Sequence, residues 1–224
     1  MDIRREKIYT NGIYVPCLIL KPTNSLAAAV ITHGYGGCKE EQLGLAYRVA
    51  ELGITTYVID LRGHGENNTP FANNLLEDLE GIIKYCRQFG QKVVAIGHSL
   101  GGRLSCVSSA EYRVGISPAL DRSFGDKTKE ILNNVRKYRT DHSSGVELFD
   151  VMKKLPTLNE NNSSNKMIIY GSRDVPEIIR SCRKLKEKGF LVNEVDNALH
   201  NDIFTLEGTF EYLISELKVW FRIN

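Results

Sequence analysis

Lys92-Val93-Val94-Ala95-Ile96-Gly97-His98-Ser99-Leu100-Gly101-Gly102-Arg103-Leu104 is the stretch on which the fold turns. Its first five residues form an apolar, β-branched run of the length of a buried strand. Gly97 to Gly101 then reads G-x-S-x-G, and Leu104 to Ala110 has a helix-like composition. A strand, a sharp turn and a helix with serine at the tip is the pattern of a nucleophile elbow. Small residues on either side let the backbone turn tightly, lift the hydroxyl clear of the sheet, and aim a helix N-terminus at negative charge developing beside it. The pentapeptide alone is a weak signal, and a glycine-rich turn without chemistry is the plainer alternative. Its flanks give it weight.

Outward from this turn, short apolar runs alternate with segments of helical period. Ile13 to Leu20, Ala28 to Thr32, Thr55 to Ile59, Arg113 to Ser117, Met167 to Tyr170 and Leu191 to Val195 read as strands. Leu75, Leu76, Leu79, Ile82, Ile83, Cys86 and Phe89 have the three-and-four spacing of an amphipathic helix, with Gly90 at its C-cap. Pro176 opens a further helix that Gly189 closes, and Phe204 to Phe221 makes a final one. This alternation predicts an α/β fold with a mostly parallel sheet and helices on both faces. About fifty residues separate the strand ending at Ser117 from the one beginning at Met167, too many for a bare loop. Asp126 to Arg139 and Val146 to Leu155 look helical, so residues 119–165 are expected to form a small helical lid inserted in one domain spanning 1–224.

Composition narrows the function classes. With 224 residues, 42% hydrophobic and 25% charged, the chain can bury roughly 70–75% of its unfolded surface without metal or disulfide support. Lys and Arg total 29 against 27 acidic residues. They are interspersed rather than gathered into a basic stripe, which argues against a nucleic-acid partner. Arg4, Arg5 and Lys7 have no apolar run behind them, and no later segment approaches ~18 uncharged apolar residues. A soluble, cytoplasmic protein with no membrane span is expected. Cys17, Cys38, Cys86, Cys106 and Cys182 are scattered and never form C-x-x-C, so neither a disulfide framework nor a zinc site is indicated.

Four further motifs carry a resemblance. His33-Gly34-Tyr35-Gly36-Gly37 follows the Ala28 to Thr32 strand. Asp60-Leu61-Arg62-Gly63-His64-Gly65 follows the next one. Gly171-Ser172-Arg173-Asp174 and Leu199-His200-Asn201 follow the last two. In this order, with the serine turn among them, they resemble the α/β-hydrolase superfamily across most of the chain. They look like its oxyanion loop, its D-x-R-G-x-G turn, and the segments presenting its acid and its base. The resemblance implies a serine carboxylesterase-like enzyme, similar to cinnamoyl or feruloyl esterases and monoacylglycerol lipases. By the same pattern the oxyanion donors would be the backbone amides of Tyr35 and Leu100.

The residues support the same assignment independently. A serine hydroxyl needs a base within hydrogen-bond reach, itself oriented by a carboxylate. His200 is the best base, in a loop just after the last strand. His33 and His98 are motif neighbours, His64 lies in an early turn, and His142, in the lid and in reach of substrate, reads rather as a solvated surface side chain. Asp174 is the best acid, while Asp196 and Asp202 flank His200 and suit local hydrogen bonding. His33 and Arg62 read as braces for their loops. The expected reaction is hydrolysis of small, short-chain or aryl carboxylic esters through an acyl-enzyme on Ser99, with no cofactor or metal. Thioesters, amides, acyl transfer to an alcohol, or a receptor built on the same fold remain open from sequence. The final helix and edge strands offer faces for a homodimer, but no heptad or long apolar patch specifies one.

Overall fold

A computed structural model describes residues 1–223. Eight strands form one sheet: β1 (Asp2–Thr10), β2 (Ile13–Lys21), β3 (Ala27–Thr32), β4 (Ile54–Ile59), β5 (Val93–His98), β6 (Tyr112–Ile116), β7 (Lys166–Arg173) and β8 (Leu191–Leu199). Their order is β1-β2-β4-β3-β5-β6-β7-β8. β2 pairs antiparallel with β1 and β4, and every pairing from β4 through β8 is parallel. The helices are α1 (Leu43–Ala50), α2 (Leu75–Arg87), α3 (Leu100–Val107), α4 (Asp126–Ile131), α5 (Leu148–Lys154), α6 (Pro176–Glu187) and α7 (Glu207–Phe221).

β3 shows why both faces must be covered. Ala27, Ala29 and Ile31 point into one apolar layer with Leu45 and Val49 of α1 and Leu213 and Leu217 of α7. Ala28 and Val30 point into the opposite layer with Leu79 and Ile82 of α2 and Leu104 of α3. All five strand residues are fully buried. A strand covered on both faces loses the polar alternation of a half-exposed one, and for that reason it reads as a continuous apolar run.

Two elements lie outside that pattern. β1 is an edge strand carrying Arg4, Arg5, Glu6 and Lys7, and Ile8 is its buried residue. Charge along an exposed edge keeps other chains from pairing with it, and the same charge hides the strand from a search for apolar runs. α1 is short and has Gly44 in its first turn, which leaves it little helical signature.

α3 begins at Leu100 rather than at Leu104. Gly101 and Gly102 look like turn residues, yet they are helical because backbones meet there. A Cβ on Gly101 would lie 2.5 Å from the His33 carbonyl oxygen and 2.6 Å from that of Thr32, and one on Gly97 would strike the Gly101 carbonyl. α7 likewise starts at Glu207, after a single tight turn at Ile203–Thr205.

The segment between β6 and β7 contains α4, a widened turn over Leu132–Arg136, a tight turn over Lys137–Arg139, and α5. Arg103 of α3, 1% exposed, ties it down from below. Its guanidinium donates to the carbonyls of Asp121 at 3.1 Å and Leu155 at 3.3 Å, near the two ends of the insertion. No helix among the described residues is long and apolar enough to cross a membrane.

Gly101→Ala is expected to lower stability by about 3 kcal/mol, because the new methyl must displace backbone rather than a flexible side chain. For a chain of this size that corresponds to roughly 10 °C in the melting midpoint. Gly44→Ala, where nothing lies within 4 Å of the added Cβ, is expected to leave the midpoint unchanged or raise it. Thermal unfolding of both variants followed by circular dichroism checks the pair.

Candidate active site

Ser99 stands between the last residue of β5 and the first of α3 with φ +54° and ψ −112°. A non-glycine residue there costs of order 1–3 kcal/mol and persists only where the surroundings enforce it. The enforcing contacts are backbone ones. Ser99 N–H donates to the Ile116 carbonyl at 2.9 Å, and its own carbonyl accepts from Arg103 at 3.0 Å and Ala119 at 3.0 Å. With Gly97 and Gly101 closing the turn, the side chain is forced outward at the C-terminal edge of the sheet.

Asp174 and His200 reach the same edge from the ends of β7 and β8. The pairing of these strands slips between Gly171 and Arg173, where Asn197 takes φ +56°. Such a bulge re-aims the residues that follow it. Ser99 Oγ donates to His200 Nε2 at 3.0 Å, and His200 Nδ1 donates to Asp174 Oδ1 at 2.8 Å. Asp174 is 6% exposed. Its Oδ1 also accepts from Val175 N–H at 2.7 Å, and its Oδ2 from the Ser117 hydroxyl. Burial works to raise its pKa; the hydrogen bond and charge of His200, then Ser117 and Val175, outweigh burial and hold the carboxyl below its ordinary range. Asp202 instead accepts from Leu199 N–H at 2.8 Å, and Asp196 from Ser172 at 3.3 Å. Both serve the loop locally.

The loop after β3 faces this array. Gly34 packs against the serine closely enough that a Cβ would lie 3.1 Å from Ser99 Cβ. Neither the Tyr35 nor the Leu100 amide donates to an acceptor among the described residues, and both residues line the same cleft as Ser99. The Tyr35 hydroxyl bonds to His142 Nε2 at 2.8 Å, while His142 Nδ1 donates to the Val146 carbonyl at 2.7 Å. His142 is therefore a half-buried tie between the insertion and the loop. The expectation of a solvated side chain is corrected here, because the insertion folds back over Tyr35.

His98 is the second departure from the sequence reading. It is 5% exposed, and its Nε2–H donates to the backbone carbonyl of His200 at 2.7 Å. Its ring packs against His200 and Phe204 with centroids 4.9 and 4.6 Å away. Ser117, left-handed at φ +46° and wholly buried, is the third. No sequence spacing announces either role, since each depends on which strands are neighbours.

The loop braces are built from buried charge. Asp60 accepts from Lys39 N–H at 2.8 Å, Lys39 Nζ at 2.6 Å and Glu66 N–H at 2.9 Å. Burial disfavours the Lys39 ammonium, but hydrogen bonds to Asp60 and Glu66 win and raise its pKa. Arg62 grips Asp78, and His33 Nδ1 donates to the Gly34 carbonyl at 2.8 Å. Burial pushes the Cys38 thiol up, away from a reactive thiolate.

A cleft of about 220 Å³ opens beside Ser99, Tyr35 and His200. Phe124, Ile131, Leu132, Leu148, Phe149 and Met152, all from the insertion, give it an apolar wall. A smaller cleft of about 40 Å³ adjoins it at Ser99, bounded by Gly34, Glu41, Arg136 and Phe204. Among the described residues no group of three or more His, Cys, Asp or Glu side chains is gathered to hold a metal ion.

His64 and His98 are both held neutral, burial being the main cause, with pKa values pushed down to about 3. Between about pH 6.5 and that value the unfolded chain binds protons that the folded chain refuses, so stability is present at neutral pH and falls as acid is added. The expected slope reaches about 1.4 kcal/mol per pH unit for each histidine. Urea unfolding at steps from about pH 7.5 to 5.5, above the ordinary carboxylate range, measures it. A midpoint that stays flat across that interval would contradict the buried neutral pair.

Comparison with known proteins agrees with this architecture. A family model of the alpha/beta hydrolase fold matches residues 30–119. The uncharacterized protein YfhR of Salmonella typhimurium is 28% identical over 103 residues, 44% of this chain, and the match spans only 35% of that relative's length. A structure solved in work on carboxylesterases of the thaumarchaeon Nitrososphaera gargenis superposes with TM-score 0.75 at 15% identity, covering 96% of this chain and 98% of its own. The Pyrobaculum calidifontis esterase does so with TM-score 0.65 at 19% identity over 98% and 84%. Est1E from Butyrivibrio proteoclasticus gives TM-score 0.67 at 15% identity over 95% and 98%. Identities this low speak for shared fold alone. With its sheet order, its strained serine turn and the match over residues 30–119, the chain has the α/β-hydrolase fold.

Proposed function

We propose that the protein is a serine hydrolase that cleaves small carboxylic esters through an acyl-enzyme on Ser99. The observation that carries this reading is the unbroken hydrogen-bond chain from Ser99 Oγ through His200 to Asp174, opening on an apolar cleft. Ser99 Oγ attacks the ester carbonyl while His200 Nε2 takes its proton, and the Asp174 carboxylate stabilises the imidazolium that results. The carbonyl oxygen, now an anion, is received by the amides of Tyr35 and Leu100, each such donor typically contributing about 3 kcal/mol to the transition state. His200 then gives its proton to the departing alkoxide. A water molecule, deprotonated by the same imidazole, releases the acid and restores the serine.

The cleft beside Ser99, about 220 Å³ and walled by apolar side chains, suits the apolar acyl or aryl part of a small ester. Serine rather than aspartate in the elbow favours ester over epoxide or haloalkane chemistry. His98 acts at one remove, holding the backbone that carries the base.

A fluorophosphonate probe should label Ser99, as read by peptide mass spectrometry, and p-nitrophenyl butyrate should turn over faster than the octanoate. Ser99→Ala is expected to lose labelling and at least ~10⁴-fold of kcat. Absence of both labelling and Ser99-dependent turnover would refute the proposal. His98→Asn is expected to lower kcat by roughly 10- to 100-fold through misplacement of His200, with a smaller effect on KM.

A further inference from the structure

Arg136 is a cation placed where the serine chemistry does not call for one. It closes the widened turn Leu132–Arg136 and lines both the apolar cleft and the small cleft beside Ser99. Its backbone is pressed onto the loop after β3. Gly36, at φ +67°, is so close that a Cβ there would lie 2.7 Å from the Arg136 carbonyl oxygen and 2.9 Å from Arg136 Cβ. The side chain is thus launched from a fixed point over the serine rather than from a free surface loop.

Its partners leave its charge uncompensated. Nη2 donates to the neutral amide oxygen of Asn201 at 3.2 Å, and among the described residues Arg136 makes no ion pair. Glu41 is the acidic residue lining the small cleft, and its carboxylate is already engaged by Arg139 at 2.7 Å. A guanidinium has five N–H donors in a planar fork matched to a carboxylate or phosphate. One is spent on Asn201; among the described residues the others have no acceptor, and they lie beside a cleft lined by apolar side chains.

We propose that Arg136 is an anion-recognising element of the substrate site, so that the favoured esters join an apolar acyl or aryl group to a group bearing a carboxylate or similar oxyanion. This rests on the reading of Ser99 as nucleophile. The apolar part occupies the larger cleft, and the anion meets the Arg136 fork on the side of the smaller one. Asn201 holds the guanidinium ready without neutralising it. Such a pairing makes Arg136 a determinant of specificity rather than of the chemical step.

The test compares matched esters in which only the charge changes. Phenyl butyrate is set against 4-carboxyphenyl butyrate, with the anion on the alcohol, and phenyl hexanoate against phenyl hydrogen adipate, with the anion on the acyl group. The ratio of kcat/KM, anionic to neutral, is measured in the wild type, Arg136→Gln and Arg136→Lys. At least one ratio is expected to fall about tenfold or more in Arg136→Gln and to recover in part in Arg136→Lys. The pair that responds identifies the side of the scissile bond on which the anion sits. If Arg136 merely latches the insertion, both members of each pair change together, the ratios stay constant, and the proposal is overturned. Binding is read separately by calorimetric titration of the same esters into Ser99→Ala and into Ser99→Ala with Arg136→Gln. Tighter binding of an anionic ester that disappears with Arg136 supports the site even if turnover proves absent, and equal binding in the two proteins refutes it.

Discussion

Three stretches of backbone meet where side chains are missing, and the rest of the site hangs on that meeting. The exit of β3, the end of β5 and the first turn of α3 approach so closely at Gly97 and Gly101 that no Cβ fits. Because α3 is pulled tight against the sheet, Ser99 has to take a left-handed φ, and its hydroxyl is pushed out where the parallel strands end. The same closeness brings Gly34 against Ser99 and sets the amides of Tyr35 and Leu100 beside one cleft. Strain at the serine is held by packing around it, as expected of a residue kept in a conformation it would not choose.

The buried cations around this point are satisfied: Lys39 and Arg62 pair with carboxylates and Arg103 donates to backbone carbonyls, while His64 and His98 are neutral. Lys39 with Asp60 and Arg62 with Asp78 fix the loops after β3 and β4 from beneath. Breaking one partner of such a pair would leave a buried charge alone, which is far costlier than the pair is beneficial. His64 and His98 lose their charge to burial. His200 differs in having a carboxylate on one side and a hydroxyl on the other.

The insertion between β6 and β7 supplies what the sheet cannot. Its apolar side chains wall the larger cleft, His142 ties it to Tyr35, and Arg103 holds both its ends. Arg136 then leaves an open cation at the rim. The sheet edge thus carries Ser99, Asp174 and His200, and the insertion carries the apolar wall beside them.

Much of this was legible in the residues. Ala28 to Thr32 and Lys92 to Ile96 read as buried strands because strands covered on both faces are apolar throughout; the glycines of the turn follow from local pattern, and the order Ser99, Asp174, His200 from the family resemblance. β1 and α1 escaped, one because its edge position demands charge, the other because it is short. The roles of His98, Ser117 and His142 escaped for a different reason. Hydrogen bonds between His98 and His200, Ser117 and Asp174, and Tyr35 and His142 join residues 102, 57 and 107 positions apart. Periodicity and motif spacing report on a residue's neighbours along the chain. Sheet order and the bulge in β8 decide its neighbours in space, and only those determine which polar groups are left to pair once water has been excluded.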